Sequence, residues 1–315
     1  MPGPLTHEPA MTLREQAKGL GFVGVGFSRP AKPLFFDQFC EWISAGKQGE
    51  MGWMGRHLNL RKNPSTLLED CHTIITLAYP YSPKKPCTPE GLSAARYSEP
   101  QEIDYHDRLK KKAKILAGAV QQQYPGTQTR VCVDSAPILE RSFAYQSGIG
   151  FIGKNNMFMI PGYGSYLFLA EILTSALLSY PETELMESRC GSCTRCLEAC
   201  PTGALEAPYR LNAARCLSYL TIEKGGPVDN ETANQIGDCF LGCDVCQEVC
   251  PLNKGDESKS VVLPSIDEIL NMNDETFREV FGRTAFARAG LGKIRDNINA
   301  VLKVLRITGS HPDTG

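Results

Sequence analysis

Two runs of cysteine are spaced for chemistry. Cys190-Gly-Ser-Cys193-Thr-Arg-Cys196-Leu-Glu-Ala-Cys200-Pro201 reads C-x2-C-x2-C-x3-C-P, and Cys243-Asp-Val-Cys246-Gln-Glu-Val-Cys250-Pro251 reads C-x2-C-x3-C-P. Three thiolates at these intervals converge on one face of an iron–sulfur cube, and the fourth cysteine of the longer run points toward a second cluster. Each run closes on a proline, whose fixed φ suits a chain leaving a cluster loop. Zinc knuckles use two C-x2-C pairs separated by a spacer. Disulfides need an oxidising compartment, and nothing in the sequence directs export. The spacing therefore predicts two 4Fe-4S clusters.

Reciprocal sharing assigns the ligands. Cys190, Cys193, Cys196 and Cys250 hold cluster one, while Cys200, Cys216, Cys243 and Cys246 hold cluster two. Cys239 is the rival of Cys216. We assign Cys216, because Cys239 four residues before Cys243 crowds a loop that already supplies two thiolates. Cys40, Cys71, Cys87 and Cys132 have no partners at ligand spacing and read as packing residues. Clusters pass single electrons, so the redox chemistry belongs to the domain they serve. No nicotinamide or flavin fingerprint is present: Phe22-Val-Gly-Val-Gly-Phe27 stops short of G-x-G-x-x-G.

The elements that position such a site follow from the rest of the chain. At 315 residues there is length for one large or two medium domains. Hydrophobic residues make up 42% and charged residues 22%, as in ordinary globular proteins. The net charge of −2 excludes nucleic-acid binding by bulk charge alone. No run approaches the roughly 18 apolar residues of a membrane span. Residues 1–11 carry no signal-peptide pattern and read as a disordered leader, with Met11 a candidate start, so a reducing cytoplasm is the expected setting. Strand patterns at 22–27, 72–80, 129–134 and 165–174 alternate with helical patterns at 12–21, 33–45, 105–123 and 138–146. The alternation predicts an α/β (α+β) domain over 12–180, with 81–103 as loop. Composition then shifts to cysteine, glycine and polar residues, predicting a ferredoxin-like two-cluster domain over 181–263 and a helical C-terminal segment over 264–315. That tail holds Arg278, Arg283, Arg288, Lys293, Arg295, Lys303 and Arg306 against Glu279 and Asp296, either a footprint for phosphates or a solvated helix face.

Asp134 ends a strand, where a carboxyl group raised in pKa by burial serves as a general acid. Alternatively it caps the next helix, with Pro137 in the first turn. His57 reads as a metal ligand or as a polar surface group. Lys154 and Asn155, in Gly-Ile-Gly-Phe-Ile-Gly-Lys-Asn-Asn156, either orient amides of a ligand or close a glycine-rich turn.

Several strings together carry a resemblance: Val133-Asp-Ser-Ala-Pro-Ile-Leu-Glu-Arg141, Gly148-Ile-Gly-Phe-Ile-Gly-Lys-Asn155, Tyr163-Gly-Ser-Tyr-Leu-Phe-Leu-Ala-Glu171, Cys200-Pro-Thr-Gly-Ala204 and Gly242-Cys-Asp-Val-Cys-Gln-Glu-Val-Cys-Pro-Leu-Asn253. With the first cysteine run, the chain over roughly 12–306 resembles the epoxyqueuosine reductases, the last enzymes of queuosine biosynthesis. The resemblance implies a cobalamin-binding domain, with cobalamin held between it and the cluster domain. It implies tRNA carrying epoxyqueuosine at the wobble position as substrate, an external low-potential electron donor, a monomer and no membrane. Asp134 then falls on the catalytic proton donor, also close to the corrinoid. Arg61 in Leu-Arg-Lys-Asn-Pro64 falls on a cobalamin-contacting arginine, and Ser218 and Asp244 fall near the corrinoid. Lys224 falls near the tRNA. Where some relatives have a cysteine beside the corrinoid this chain has Ala95, so a protein thiolate on cobalt is not implied. Many members carry a C-terminal helical-repeat extension that helps grip tRNA; without one here, either the basic segment 278–306 carries more of that grip or the affinity is lower. The kindred pairing of cobalamin with two clusters in reductive dehalogenases, and a plain two-cluster electron carrier, are the alternatives.

Overall fold

The computed structural model of the chain describes residues 8–254 and 261–308. Helix α1 (Glu8–Gly19) leads into strand β1 (Gly24–Ser28). Residues 8–11 of the expected leader are thus helical, and 1–7 lie outside the described residues. The chain runs through α2 (Phe36–Ser44) and α3 (Leu58–Lys62) into β2 (Thr73–Pro80), a β-branched and apolar run that suits a buried strand. The stretch expected to be plain loop, 81–103, contains the two-residue strands β3 (Pro86–Cys87) and β4 (Ser93–Ala94). Helix α4 (Tyr105–Gln123) starts at Asp104, whose side chain accepts the backbone N–H of His106. It is followed by β5 (Thr129–Cys132), α5 (Glu140–Gln146), the hairpin strands β6 (Phe151–Ile152) and β7 (Phe158–Met159), and β8 (Leu167–Thr174).

The main sheet has the order β1-β2-β8-β5, and every pair in it is antiparallel. Of the expected α/β (α+β) alternatives, this antiparallel pairing makes the domain α+β. The reason lies in the connections. Ser28 pairs with Ile74, so the excursion through α2 and α3 begins and ends at the same edge of the sheet. One face, with Ile75, Leu77, Phe168, Ala170 and Ile172, packs under Leu109, Ala113, Leu116 and Val120 of α4. Those four recur every three or four residues, which puts them on one stripe of the helix. The other face, with Ile74 and Leu173, packs against Phe143 of α5.

The second half continues with α6 (Arg195–Glu198), the hairpin β9 (Leu205–Ala207) and β10 (Arg210–Leu211), α7 (Leu217–Ile222), α8 (Asn230–Ile236), β11 (Cys239–Leu241) and α9 (Val245–Glu248). It closes with β12 (Val261–Val262), α10 (Ile266–Asn271), α11 (Asp274–Phe281) and α12 (Gly290–Thr308). A second sheet, ordered β11-β4-β3-β12, crosses the division expected near 180, because β3 and β4 come from the first half. The C-terminal helices share a core with the cluster half: Leu220 and Phe240 pack with Phe281, Phe286, Ile294 and Ile298. Among the described residues no helix is long and apolar enough to cross a membrane.

Candidate active site and cluster loops

Asp134 lies two residues past β5 with φ at 51°, a left-handed conformation that a residue bearing a Cβ seldom adopts. Its backbone N–H donates to Glu140 Oε1 at 2.6 Å. Its Oδ2 accepts the Tyr105 hydroxyl at 3.1 Å and stands 2.8 Å from His106 Nε2. The other ring nitrogen of His106, Nδ1, is 2.6 Å from Asp104 Oδ1. His106 therefore bridges two carboxylates, and only the imidazolium donates to both. Tyr105 is held by stacking, its ring 4.2 Å from that of Phe168 and 4.1 Å from that of His106. Asp134 does not cap α5: Leu139 precedes that helix with no side-chain cap, and Pro137 lies outside the first turn.

The electrostatics correct the expected acid. The His106 hydrogen bond, working against burial, holds the Asp134 carboxyl below the usual carboxylate range, with help from Tyr105 and the field of Arg288. Burial alone would lower His106, but its bonds to Asp104 and Asp134 push it up to about 9. Burial likewise works to raise Asp104, and the His106 contacts overcome it and hold it low. At neutral pH the proton thus rests on His106. The Asp134 carboxylate sits in a densely surrounded recess, yet 57% of its side chain is open to solvent, so water screens these interactions.

The cysteines gather in two sets. Cys196 is pushed up first by burial and then by Cys190 and Cys250, and Cys250 by burial and then Cys190 and Cys193. Burial raises Cys246 most, followed by Cys243, Cys216, Cys200 and then Cys196 of the other set. Cys216, the residue before α7, receives backbone N–H groups of Ser218 and Tyr219 at its sulfur; Cys250 receives those of Leu252 and Asn253. Such bonds stabilise thiolate ligands and raise the potential of a cluster. Among the described residues no three His, Cys, Asp or Glu converge as ligands of a single ion; thiolates of a cube each meet a different iron. Cys239 is buried in β11, with its thiol 3.4 Å from the Leu241 carbonyl and 3.5 Å from that of Gly242.

Lys154 and Asn155 have a role that their spacing did not disclose. Lys154 Nζ donates to the carbonyls of Gly191 at 2.7 Å and Cys193 at 2.9 Å. Asn155, buried, donates from Nδ2 to the Cys246 carbonyl at 3.1 Å. Two adjacent residues thus strap both cluster loops to the sheet domain. Lys154→Met leaves two carbonyls without their cationic donor, a loss of about 1.5 kcal/mol. Iron release from cluster one to a chelator is then expected to run roughly tenfold faster, with cluster two unchanged, as timed chelation and electron paramagnetic resonance will show.

Arg61 lies over the Phe39 ring at 5.6 Å, burial lowers its pKa, and it feels Glu140. Its Nε is buried without a hydrogen-bond partner, as is Asn156 Nδ2. Asn156 is tied in turn to Arg141, whose guanidinium donates to its carbonyl. Two unpaired donors around the Glu140-Arg141 corner fit a ligand rich in carbonyl oxygens. Asp244 is buried and already engaged: Oδ2 accepts the Arg96 backbone N–H at 2.7 Å and the Arg96 guanidinium at 3.3 Å. Ser218 is half-buried on α7, two residues past Cys216. Lys224 Nζ is 3.7 Å from Asp229 and acts on the nearby Lys293. His57 is exposed, before α3, with φ at 59°. Ala95 is buried, its N–H donating to the Leu241 carbonyl. The basic tail is largely spent internally. Arg295 reaches the Leu270 and Met272 carbonyls, Arg288 grips both Glu223 oxygens at 2.9 and 2.8 Å, and Lys303 reaches Asn230. The Arg306 side chain lies outside the described residues.

Sequence reasoning missed His106, Tyr105, Glu140 and Glu171. One signal was present: Glu171 is the lone charge in an apolar strand.

Comparison with known proteins follows the same lines. Residues 189–253 match the family model described as a 4Fe-4S double cluster binding domain. Residues 61–135 match that of epoxyqueuosine reductase QueG, DUF1730. The epoxyqueuosine reductase of Cellulophaga algicola is 31% identical over 300 residues, covering 91% of this chain and 96% of that one. A crystal structure of epoxyqueuosine reductase with an epoxyqueuosine-modified tRNA-Tyr stem loop superposes with a TM-score of 0.82 at 31% identity, over 94% of this chain and 81% of that one. A structure from Bacillus subtilis, with its aspartate-bearing catalytic loop swung out of the active site, gives 0.79 at 31% identity and the same coverage.

Proposed function

The chain belongs to the epoxyqueuosine reductase family, and from that premise we propose how its residues divide the labour of reducing epoxyqueuosine to queuosine in tRNA. The net reaction takes two electrons and two protons, breaks both epoxide C–O bonds to leave an alkene, and releases the oxygen as water. Iron–sulfur clusters carry the electrons. Cys190, Cys193, Cys196 and Cys250 hold the one nearer an external low-potential donor, and Cys200, Cys216, Cys243 and Cys246 hold the inner one. Cobalamin, when bound, supplies a reducible cobalt able to open the epoxide. Arg61 and Asn156, with their unpaired buried donors, would hold its amide rim, beside Ser218 and near Asp244.

Asp134 passes a proton from His106, through the 2.8 Å contact, to the leaving oxygen. Because Asp104 holds the far side of the ring, the imidazolium stays aimed at Asp134. The observation that carries the reading is the Lys154-Asn155 strap, which ties both cluster loops to the domain presenting Asp134. Lys224, with Lys293 beside it, takes tRNA phosphates. We read the turn bearing Asp134 as the counterpart of the catalytic loop that is swung out in the Bacillus subtilis relative. The protein acts as a monomer in the cytoplasm.

The test is anaerobic. Protein with rebuilt clusters, cobalamin, a strong reductant and tRNA bearing epoxyqueuosine should yield queuosine, by mass spectrometry of digested tRNA, only when cobalamin is added. Intact cluster absorbance with no corrinoid retained after gel filtration, or no queuosine formed, defeats the proposal.

A further inference from the structure

Behind the Asp134 turn lies a second carboxylate pair that the proposed chemistry does not use. Glu171 sits mid-strand in β8, wholly buried, with Thr76 of β2 and Cys132 of β5 as its cross-strand neighbours. Neither of its oxygens has a hydrogen-bond partner, and neither has the Thr76 hydroxyl. A buried, unpaired carboxylate anion is prohibitively unfavourable, so such a group takes a proton. The acceptor for that proton is at hand. Residues of β8 on the Glu171 side pack against α5, and Glu140, the first residue of α5, acts directly on Glu171. Two carboxylates are both acceptors and make no bond until one is protonated.

The partners decide which one. Around Glu140 stand the cations Arg141, Arg61 and His106, the carboxylate of Asp134, and the neutral Tyr105 hydroxyl and Cys132 thiol. No cation acts on Glu171, and burial drives its pKa far up. Burial and the Asp134 carboxylate raise Glu140 as well, to about 8, against the pull of Arg141 and His106; Glu171, raised further, holds the shared proton, and Glu140 Oε1 already accepts the Asp134 N–H.

We propose that Glu171, protonated, donates to Glu140, and that Glu140 in turn latches the backbone N–H of Asp134, holding the turn in the left-handed conformation that presents its carboxylate to His106 and Tyr105. Both are positioning residues; neither reaches the substrate. The proposal rests on the reading of Asp134 as the proton-delivering residue, and its test separates the two.

In the cluster-loaded enzyme without substrate, infrared spectroscopy at neutral pH should show the carbonyl stretch of a protonated carboxyl group that disappears in Glu171→Gln. The glutamine amide still donates to Glu140, so this variant should keep wild-type turnover and wild-type hydrogen exchange at the Asp134 amide, read in the peptide from Val131 to Leu139. Glu171→Leu removes the donor. Exchange at that amide should then accelerate and kcat fall about tenfold with KM unchanged, the effect of one charge-assisted hydrogen bond. Absence of the infrared band, or loss of turnover and amide protection in Glu171→Gln, overturns the latch even where Glu171→Leu does not fold. If Asp134→Asn keeps turnover, the reading of Asp134 fails, while the band and the amide exchange still decide the latch.

Discussion

Asp134→Asn is expected to lower turnover by about 10²- to 10⁴-fold, the range of one positioned proton donor, while leaving both clusters' spectra unchanged. Asparagine keeps the shape and still accepts one hydrogen bond, but it has no proton to give an alkoxide and no charge to hold the imidazolium. The proton source of the wild-type enzyme should appear in its pH profile. His106 is raised to about 9 by the carboxylates on either side, whereas Asp134 is held low. An isolated Asp134 of that kind would be spent as a donor throughout the neutral range. Paired with His106 it is reloaded as long as the ring is charged. In the folded protein the ring's charge is complete through neutrality and is lost as pH rises through about 9. Single-turnover rates should therefore stay level through neutral pH and fall across that alkaline window. His106→Gln should lack the alkaline limb and run slowly at every pH. An unchanged limb in His106→Gln assigns the titration elsewhere, and full turnover in Asp134→Asn removes Asp134 from proton delivery.

The legible parts of this molecule were those whose information is local. Cysteine spacing disclosed both cluster loops, and the stripe Leu109, Ala113, Leu116, Val120 placed α4 at its described ends. Strand direction was hidden, because alternation of strands and helices records order and not the edge to which an excursion returns; only the pairing of Ser28 with Ile74 shows that. β3 and β4 are two residues each, too short for any periodicity, yet they carry the first half of the chain into the second sheet. Asp134 was found by its place in a motif, but its charge state was inferred from burial when a neighbour decides it. That neighbour, His106, lies a whole helix and strand away in sequence. Glu171 was visible as a local conflict, a charge in Leu-Phe-Leu-Ala-Glu-Ile-Leu-Thr, and such conflicts gather where function imposes them.

The choice between Cys216 and Cys239 predicts the sharpest divergence between two similar variants. Cys216→Ala should lose half of the enzyme's iron and acid-labile sulfide and the resonance of one cluster. Turnover should fall below detection, because the electron path is then cut at its inner step. Cys239→Ala should retain both clusters and cost about 1–2 kcal/mol of stability, the price of a small buried cavity. The argument is geometric. Cys216 opens α7, where the free N–H groups of Ser218 and Tyr219 reach its sulfur, and Cys200, Cys243 and Cys246 stand around it. A thiolate belongs there. Burial raises both thiols, but backbone N–H groups work against it at Cys216, whereas the Cys239 S–H faces two backbone carbonyls, acceptors that favour the protonated thiol. To ligate iron, Cys239 would have to give up those contacts and turn out of β11, whose pairing with β4 anchors the second sheet. Iron counts that reverse between the two variants would move the eighth ligand to Cys239 and require that strand to open on cluster assembly.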